Sequence, residues 1–157
     1  MKVLDLFCCA GGTSRGLAEV GFEVTGIDIE DQPEYPFKFI KADVTKLTTG
    51  FLRQFDLIWA SPPCQLFTRA KHLRKAQGNK TKALDLILET RELLERAGVP
   101  FVIENVEGSP LRKDLLLCGS MFDLKVRRHR IFECSFEIHQ LECEHKKQGR
   151  PIGVYHR

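Results

Sequence analysis

The sequence lacks any apolar run approaching the roughly 18 residues needed to cross a membrane. Its N-terminal apolar stretch is short and interrupted by Asp5, so no export signal is predicted. It also lacks internal repeats, low-complexity segments and an evident linker. We therefore expect a cytoplasmic protein without membrane association, whose six cysteines are reduced thiols. Its 157 residues, 43% apolar and 29% charged, predict one globular domain.

Acidic residues are missing from two stretches, one between Leu57 and Leu84 and one from His145 to Arg157. The rest of the chain has 14 positive residues against 21 acidic ones. Neither stretch is an amphipathic helix rich in aromatic residues, so a polyanion is a better predicted partner than a membrane surface. The alternative is a solvated loop and a solvated tail. The positive residues are Arg69, Lys71, Arg74, Lys75, Lys80 and Lys82 in the first stretch, and Lys146, Lys147, Arg150 and Arg157 in the second.

Short apolar strands alternate with helical segments along the chain. Strands are predicted over residues 3–7, 22–29, 37–44, 55–60 and 99–104, with shorter candidates over 115–118 and 130–136. Helices are predicted after Gly12 as far as Gly21 and over residues 81–97, and residues 67–82 are predicted to form a mobile loop. The alternation predicts an α/β fold with a doubly wound, mostly parallel sheet.

Residues that interrupt the apolar pattern lie where the predicted strands end, which is where ligands bind in such sheets. Gly11 and Gly12 follow the first strand, so a negative group can approach the amides of the next helix. Asp28 follows these glycines at about the interval at which an acid meets ribose hydroxyls in nucleotide-binding folds. Asp43 would either accept a hydrogen bond from an adenine amino group or cap a helix over residues 45–52, and the sequence leaves both open.

Four blocks in a fixed order make a family resemblance specific. They are Asp5-Leu-Phe-Cys-Cys-Ala-Gly-Gly-Thr-Ser-Arg-Gly-Leu17, Ser61-Pro-Pro-Cys-Gln65, Glu104-Asn-Val106 and Arg128-His-Arg130. Together they resemble the ordered motifs of the cytosine-C5 DNA methyltransferase family, from Met1 to about Phe136. The resemblance implies a Rossmann-like catalytic domain over residues 1–136. A basic tail over residues 137–157 would then begin a recognition region.

The resemblance implies S-adenosylmethionine as methyl donor and DNA as partner, with the cytosine flipped from a duplex or single-stranded, as in restriction–modification systems. A further polypeptide segment or subunit would supply target recognition, because no target recognition domain is visible. The residues that the resemblance and the strand ends assign to the cofactor are Phe7, Cys9, Ala10, Gly11, Gly12, Asp28, Ile29, Asp43, Val44 and Pro63. Those assigned to nucleic acid are Gln65, Arg69, Lys71, Arg74 and Lys75.

The resemblance places the chemistry on Cys64, Glu104, Arg128 and Arg130. Adding a thiolate to C6 makes C5 of cytosine nucleophilic, which is the role of Cys64. Glu104 would hold a proton for N3, with a pKa raised by burial. The two arginines, on one face of a strand, would stabilise developing charge. The alternatives are a structural cysteine, a glutamate in a cap or ion pair, and arginines that only contact phosphate.

Two positions depart from the family pattern. Cys9 replaces the first glycine of the Phe-x-Gly-x-Gly block, so its side chain either narrows the cofactor pocket or points into the core. Val126 stands where the family commonly has Gln. Cys143-x-His145, with Cys134 and His139 nearby, is spaced irregularly for zinc, so no metal is predicted.

Two other functions stay open from the sequence. The run from Pro63 to Arg69 also resembles the corresponding block of tRNA cytosine methyltransferases. A non-catalytic subunit that binds cofactor or nucleic acid is the other alternative. The presence of Cys64, Glu104 and both arginines speaks against it, because a scaffold has no chemical need for them.

Overall fold

The computed structural model describes residues 1–65, 67 and 86–153. The strands are β1 (Lys2–Leu6), β2 (Glu23–Asp28), β3 (Lys38–Lys41), β4 (Leu57–Ala60), β5 (Phe101–Asn105), β6 (Leu115–Cys118) and β7 (His129–Cys134). The α-helices are α1 (Gly12–Glu19), α2 (Thr49–Leu52) and α3 (Ile87–Ala97), and two 3-10 helices cover Val44–Lys46 and Gly119–Phe122. Among the described residues, no helix is long and apolar enough to span a bilayer.

The strands form one sheet in the order β3-β2-β1-β4-β5-β7-β6. The pairs from β3 across to β5 are parallel, and β7 runs antiparallel to both β5 and β6. The predicted doubly wound, mostly parallel sheet is therefore confirmed. Its strand order reverses direction between β1 and β4, and a crevice at such a switch point is where these sheets bind ligands.

Several predicted elements differ from the observed ones at their ends. The third strand stops at Lys41 because Asp43 starts a 3-10 helix, accepting hydrogen bonds from the Thr45 amide at 3.0 Å and its hydroxyl at 2.7 Å. The fifth strand begins only at Phe101, because Gly98 ends α3 with a φ of 67°. The predicted mobile loop, apart from Phe67, and the first part of the predicted second helix lie outside the described residues.

The apolar core lies on both sides of the central strands. Leu4 and Leu6 of β1 and Ile58 of β4 are fully buried. Ile87 and Leu94 are buried on the same face of α3, about two turns apart, and belong to the same cluster of core residues. This packing fixes the strand ends that carry the candidate site.

A buried ion pair also ties α3 to the sheet. Arg91 donates to both carboxylate oxygens of Glu133 at 2.7 Å, and Glu133 is fully buried. Burial opposes ionisation of Glu133, but the bonds from Arg91 and Arg112 outweigh burial and lower its pKa. The pair therefore stabilises the fold at neutral pH, and its contribution is lost in acid as the pH falls through this lowered pKa.

We expect Arg91→Ala to lower the free energy of unfolding by about 3 kcal/mol, because it leaves a buried carboxylate without its main partner. Urea unfolding followed by circular dichroism measures the loss, and the difference from the wild type should shrink in acid. Arg96→Ala, at an exposed position on the same helix, is the control and should change stability by no more than about 0.5 kcal/mol. Equal effects of the two substitutions would contradict the role of the pair.

Candidate active site at the carboxyl edge of the sheet

The carboxyl ends of β1, β4 and β5 meet at one edge of the sheet. Leu6 pairs with Ala60, and Ala60 pairs with Ile103. Since β7 is antiparallel, with Ile131 opposite Asn105, its amino end lies at the same edge. The loops after β1 and β4, the end of β5 and the start of β7 therefore come together. All four predicted catalytic residues lie in these segments.

The proline-containing loop after β4 is held against the end of β5. Asn105 is 1% exposed, and its side-chain amide donates to the Pro62 carbonyl at 2.9 Å. The Ser61 amide donates to the carbonyl of Leu6 at 3.1 Å, which ties the loop to β1 as well. Cys64 follows on this loop, half-buried, and its carbonyl accepts from the Phe67 amide at 3.0 Å. The Cys64 thiol therefore lies on a loop with a fixed backbone and is not part of the buried core.

Glu104 and Arg130 form an ion pair, with Nε of Arg130 2.8 Å from Oε1 of Glu104. Glu104 therefore takes part in an ion pair, which was the alternative to its catalytic role. Even so, burial raises the pKa of Glu104, and the opposing effects of Arg130, Arg128 and Ser61 only reduce the shift. Burial and the nearby Arg128 lower the pKa of Arg130, whereas Glu104 and Cys64 raise it. The four predicted catalytic residues therefore act on one another electrostatically.

The start of β7 differs from the prediction. The strand begins at His129, so Arg128 lies just outside it and is exposed, while Arg130 is half-buried. Strand alternation therefore does not by itself place both arginines on one face. Arg130 is further fixed by a bond from its Nη1 to the His129 carbonyl at 2.8 Å. Arg130 contacts Glu104 directly, whereas Arg128 acts on Glu104 only through its charge.

The loop after β1 has an unusual backbone. Phe7 and Cys9 have φ values of 61° and 44°, and Gly11 has a φ of 82°. A Cβ on Gly11 would lie 3.0 Å from the ring of Tyr35 and 3.2 Å from Pro36. Cys9 therefore keeps the backbone that the family's glycine allows, at the strain of a non-glycine residue with positive φ. Its side chain is exposed, so it does not point into the core.

Asp28 joins this loop to the end of β2. Its Oδ2 accepts the Cys9 amide at 3.0 Å, and its Oδ1 accepts the Glu30 amide at 3.0 Å. Asp28 is buried, whereas Ile29 beside it is exposed. Each carboxylate oxygen has a second lone pair for a ligand hydroxyl.

The other predicted cofactor residues lie in different surroundings. Asp43 caps a 3-10 helix, which was the alternative to a contact with adenine, and is partly exposed. The Val44 side chain is 4% exposed within the core, so only its backbone is available to a ligand. Pro63 is half-buried next to Cys64, and Ala10 is exposed in the loop after β1.

This edge fits S-adenosylmethionine, the cofactor that the sequence implies. The N-cap of α1 is Gly11, which has no side-chain cap, and a Cβ on Gly12 would meet nothing within 4 Å. The first amides of α1 are thus accessible to the carboxylate of the ligand's amino-acid part. Asp28 offers acceptors for ribose hydroxyls at the neighbouring strand end. The donors and acceptors therefore suit both ends of the molecule.

One of the predicted nucleic-acid contacts lies among the described residues, and the residue that holds the proline-containing loop was not predicted. Gln65 is exposed at the end of the proline-containing loop. Asn105 was not predicted as a site residue, although a lone amide directly after Glu104 at the end of an apolar strand was a usable signal. The predicted DNA contacts that lie outside the described residues are Arg69, Lys71, Arg74 and Lys75.

Comparisons with known proteins support the family resemblance of the sequence. A family model described as C-5 cytosine-specific DNA methylase matches residues 1–114. The chain is 30% identical over 108 residues to a probable DNA (cytosine-5)-methyltransferase of Frog virus 3, which covers 68% of this chain and 47% of that protein. It is 31% identical over 116 residues to the type II methyltransferase M.FnuDI of Fusobacterium nucleatum, which covers 69% of this chain and 33% of that protein. The chain thus spans less than half the length of these relatives.

Solved structures support the fold. A DNMT2 variant from Spodoptera frugiperda matches with a TM-score of 0.64 at 21% identity, covering 96% of this chain and 57% of that one. Dnmt2 from S. pombe matches with a TM-score of 0.60 at 20% identity, covering 90% and 52%. Such low identity shows the fold alone, and that fold is the predicted Rossmann-like methyltransferase type. The domain boundary after residue 136 stays a prediction.

Proposed function

Because the chain belongs to the family of C-5 cytosine-specific DNA methylases, we propose that it methylates C5 of a cytosine in DNA through a covalent bond between Cys64 and C6. The observation that carries this proposal is the Glu104–Arg130 pair, 2.8 Å apart, at the edge that also holds Cys64. A half-buried acid with a raised pKa suits a reaction that needs a proton at N3 of the ring. The nearby arginines suit the negative charge that the ring gains.

The proposed reaction begins when the Cys64 thiolate attacks C6, forming an S–C6 bond. The electrons displaced from the ring are accommodated at N3, which takes a proton from Glu104, and C5 becomes nucleophilic. S-adenosylmethionine would supply the electrophilic methyl group for C5, and its sulfur–methyl bond would break to leave S-adenosylhomocysteine. Loss of the C5 proton to a base restores the C5–C6 double bond and breaks the S–C6 bond. Cys64 leaves as a thiolate, and the N3 proton returns to Glu104.

Asn105 supports this reaction by positioning the nucleophile. Its bond to the Pro62 carbonyl fixes the loop two residues before Cys64, so little conformational freedom is lost when the thiolate reaches C6. Arg130 interacts electrostatically with Cys64, so it would stabilise the thiolate and the charged ring.

Incubation with S-adenosylmethionine labelled in its methyl group, followed by base analysis, tests the function. Duplex DNA, single-stranded DNA and tRNA are offered separately. We expect label in 5-methylcytosine from DNA, with single-stranded cytosine the better substrate because no base has to be flipped. Label in tRNA alone would reject the DNA substrate. Cofactor binding without transfer to any of the three would instead favour a non-catalytic subunit.

Target recognition is proposed to need a further polypeptide segment or subunit, since the chain spans less than half the length of the Frog virus 3 and Fusobacterium nucleatum relatives. Sequence is read by contacts to base edges, whereas positive side chains on phosphates contribute affinity without sequence information. We therefore propose that this chain binds DNA with little sequence preference. Competition between oligonucleotides of different sequence measures this directly.

We expect Asp28→Ala to weaken S-adenosylmethionine binding by about 1–3 kcal/mol, because the ribose loses its acceptor and the Cys9 amide loses its partner. Isothermal titration calorimetry measures the change. Asp31→Asn is the control, because Asp31 is exposed and pairs only at 3.5 Å with Lys41 on the surface. Unchanged affinity in Asp28→Ala would reject the proposed cofactor position.

A further inference from the structure

The segment after β7 packs against β6 and the turn that follows it. The side chain of Gln140 accepts from the Leu116 amide at 2.9 Å and donates to the Leu116 carbonyl at 3.2 Å. Further along, Gln148 donates to the Val126 carbonyl at 3.0 Å. These bonds bring the Cys143-x-His145 sequence next to the facing ends of β6 and β7.

Four potential metal ligands meet at this place. Cys118 ends β6, His129 starts β7, and the two are direct cross-strand partners. Cys143 and His145 approach from the C-terminal segment. The two thiol sulfurs and one ring nitrogen from each histidine all lie within 4.8 Å of one another.

The distances match a tetrahedral site. Nε2 of His129 lies 3.1 Å from Nε2 of His145, which is 3.3 Å from Sγ of Cys118, and Sγ of Cys143 lies 3.5 Å from Nε2 of His129. Zinc bonds of about 2.3 Å to sulfur and 2.0–2.1 Å to nitrogen give tetrahedral edges of about 3.4 Å between nitrogens and 3.6 Å between nitrogen and sulfur. Three of the six distances among the ligand atoms are therefore close to those of a tetrahedral zinc site, and an ion at the centre would draw the four atoms together.

A carboxylate beside the cluster gives independent support. Oε2 of Glu107 lies 2.7 Å from Nδ1 of His129. If Nδ1–H donates a hydrogen bond to this carboxylate, Nε2 carries the lone pair, and that lone pair faces the other three ligands. Histidines bound to zinc commonly have such a carboxylate partner, which fixes the tautomer and the orientation of the ring.

We propose that Cys118, His129, Cys143 and His145 bind one structural zinc ion. Two thiolates with two imidazoles favour zinc over magnesium or calcium, and four protein ligands leave no open position for catalysis. The ion would join the C-terminal segment to β6 and β7. Because His129 lies between Arg128 and Arg130, the bound ion would also fix the start of β7 beside Arg130, the candidate catalytic arginine.

Metal content and cobalt substitution of the 157-residue chain test the proposal. Protein produced with added zinc should carry about one zinc per chain by mass spectrometry of the metal. Cys143→Ser and His145→Asn should each weaken zinc binding by at least about tenfold. The matched controls are Cys9→Ser, at another exposed cysteine, and His139→Asn, at another exposed histidine of the same segment, and both should keep the zinc.

A titration of the unmutated chain distinguishes loss of a metal ligand from loss of metal through misfolding. The protein is stripped with a chelator, checked for folding by circular dichroism, and titrated with Co²⁺. Visible absorption typical of tetrahedral, thiolate-bound cobalt, saturating at one equivalent, supports the site. Three results would overturn it: no such absorption from folded apo-protein, equal zinc loss in the variants and their controls, or a Cys118–Cys143 disulfide in place of bound metal.

Discussion

Cys64→Ala should abolish methyl transfer, with a loss of at least about 10⁴-fold in rate, because no other group in the proposed reaction can form the bond to C6. The fold and cofactor binding should persist. Cys64 is half-buried on a loop held by Asn105, so its thiol contributes little to the core. Transfer of labelled methyl groups to cytosine measures the rate, and calorimetry with S-adenosylmethionine checks that the site is intact.

A suitable control is Cys134→Ala. Cys134 is a buried cysteine at the other end of β7, opposite Val102. The Cys134→Ala variant should keep its activity and lose only a modest amount of stability. A DNA substrate with 5-fluorocytosine should also trap the unmutated chain as a covalent adduct, because fluorine cannot leave C5 as a proton does. Full turnover by Cys64→Ala, or no adduct despite activity, would show that Cys64 is not the nucleophile.

The sheet was predictable because each strand carries its own signal. Buried parallel strands are short apolar runs, and their alternation with helices predicts a doubly wound, mostly parallel sheet. The ends of the strands were less predictable. The third strand stops early because Asp43 uses its carboxylate to cap the next turn, and one sequence position supports a cap and an extended strand end equally well.

Packing around Tyr35 shows what sequence reasoning misses. The acidic, proline-containing segment Glu30–Pro36 after β2 holds Tyr35, a buried tyrosine whose ring fills the space above Gly26, where a Cβ would lie 2.3 Å from the tyrosine hydroxyl. Its hydroxyl is 2.6 Å from that of Ser14. A glycine inside a strand often marks such a close approach, but nothing in the pattern identifies the residue that approaches.

The residues proposed to be catalytic could be located from the sequence, and the full set of proposed zinc ligands could not, for one physical reason. Cys64, Glu104 and the arginines stand in short blocks at strand ends, which parallel pairing brings to a common edge. Cys118 and His129 meet through the antiparallel register of β6 and β7, and Cys143 joins them through the path of the following segment. Spacing along the chain does not reveal this contact, and the irregular spacing of Cys143 and His145 with Cys134 and His139 predicted no metal.

Glu104→Gln should lower the rate of methyl transfer by about 10²–10⁴-fold, the usual contribution of a positioned acid. Burial raises the pKa of Glu104, and Arg130, Arg128 and Ser61 reverse this only in part. The protonated form is the active one, so the rate of the unmutated chain should fall as the pH rises through this pKa. Glutamine cannot ionise, so the variant should be slow and lack that particular decline.

Stability separates this catalytic role from a structural one. The side-chain carbonyl of glutamine can still accept the bond from Nε of Arg130, so Glu104→Gln should change the free energy of unfolding by less than about 1 kcal/mol. Because the folded-state pKa of Glu104 is raised, its protonated form stabilises the fold at low pH, and this contribution disappears as the pH rises. Glu89→Gln, at an exposed position on α3, is the control and should affect neither rate nor stability. An unfolding loss in Glu104→Gln large enough to account for its inactivity, or an unchanged pH profile, would reassign Glu104 to the structural ion pair alone.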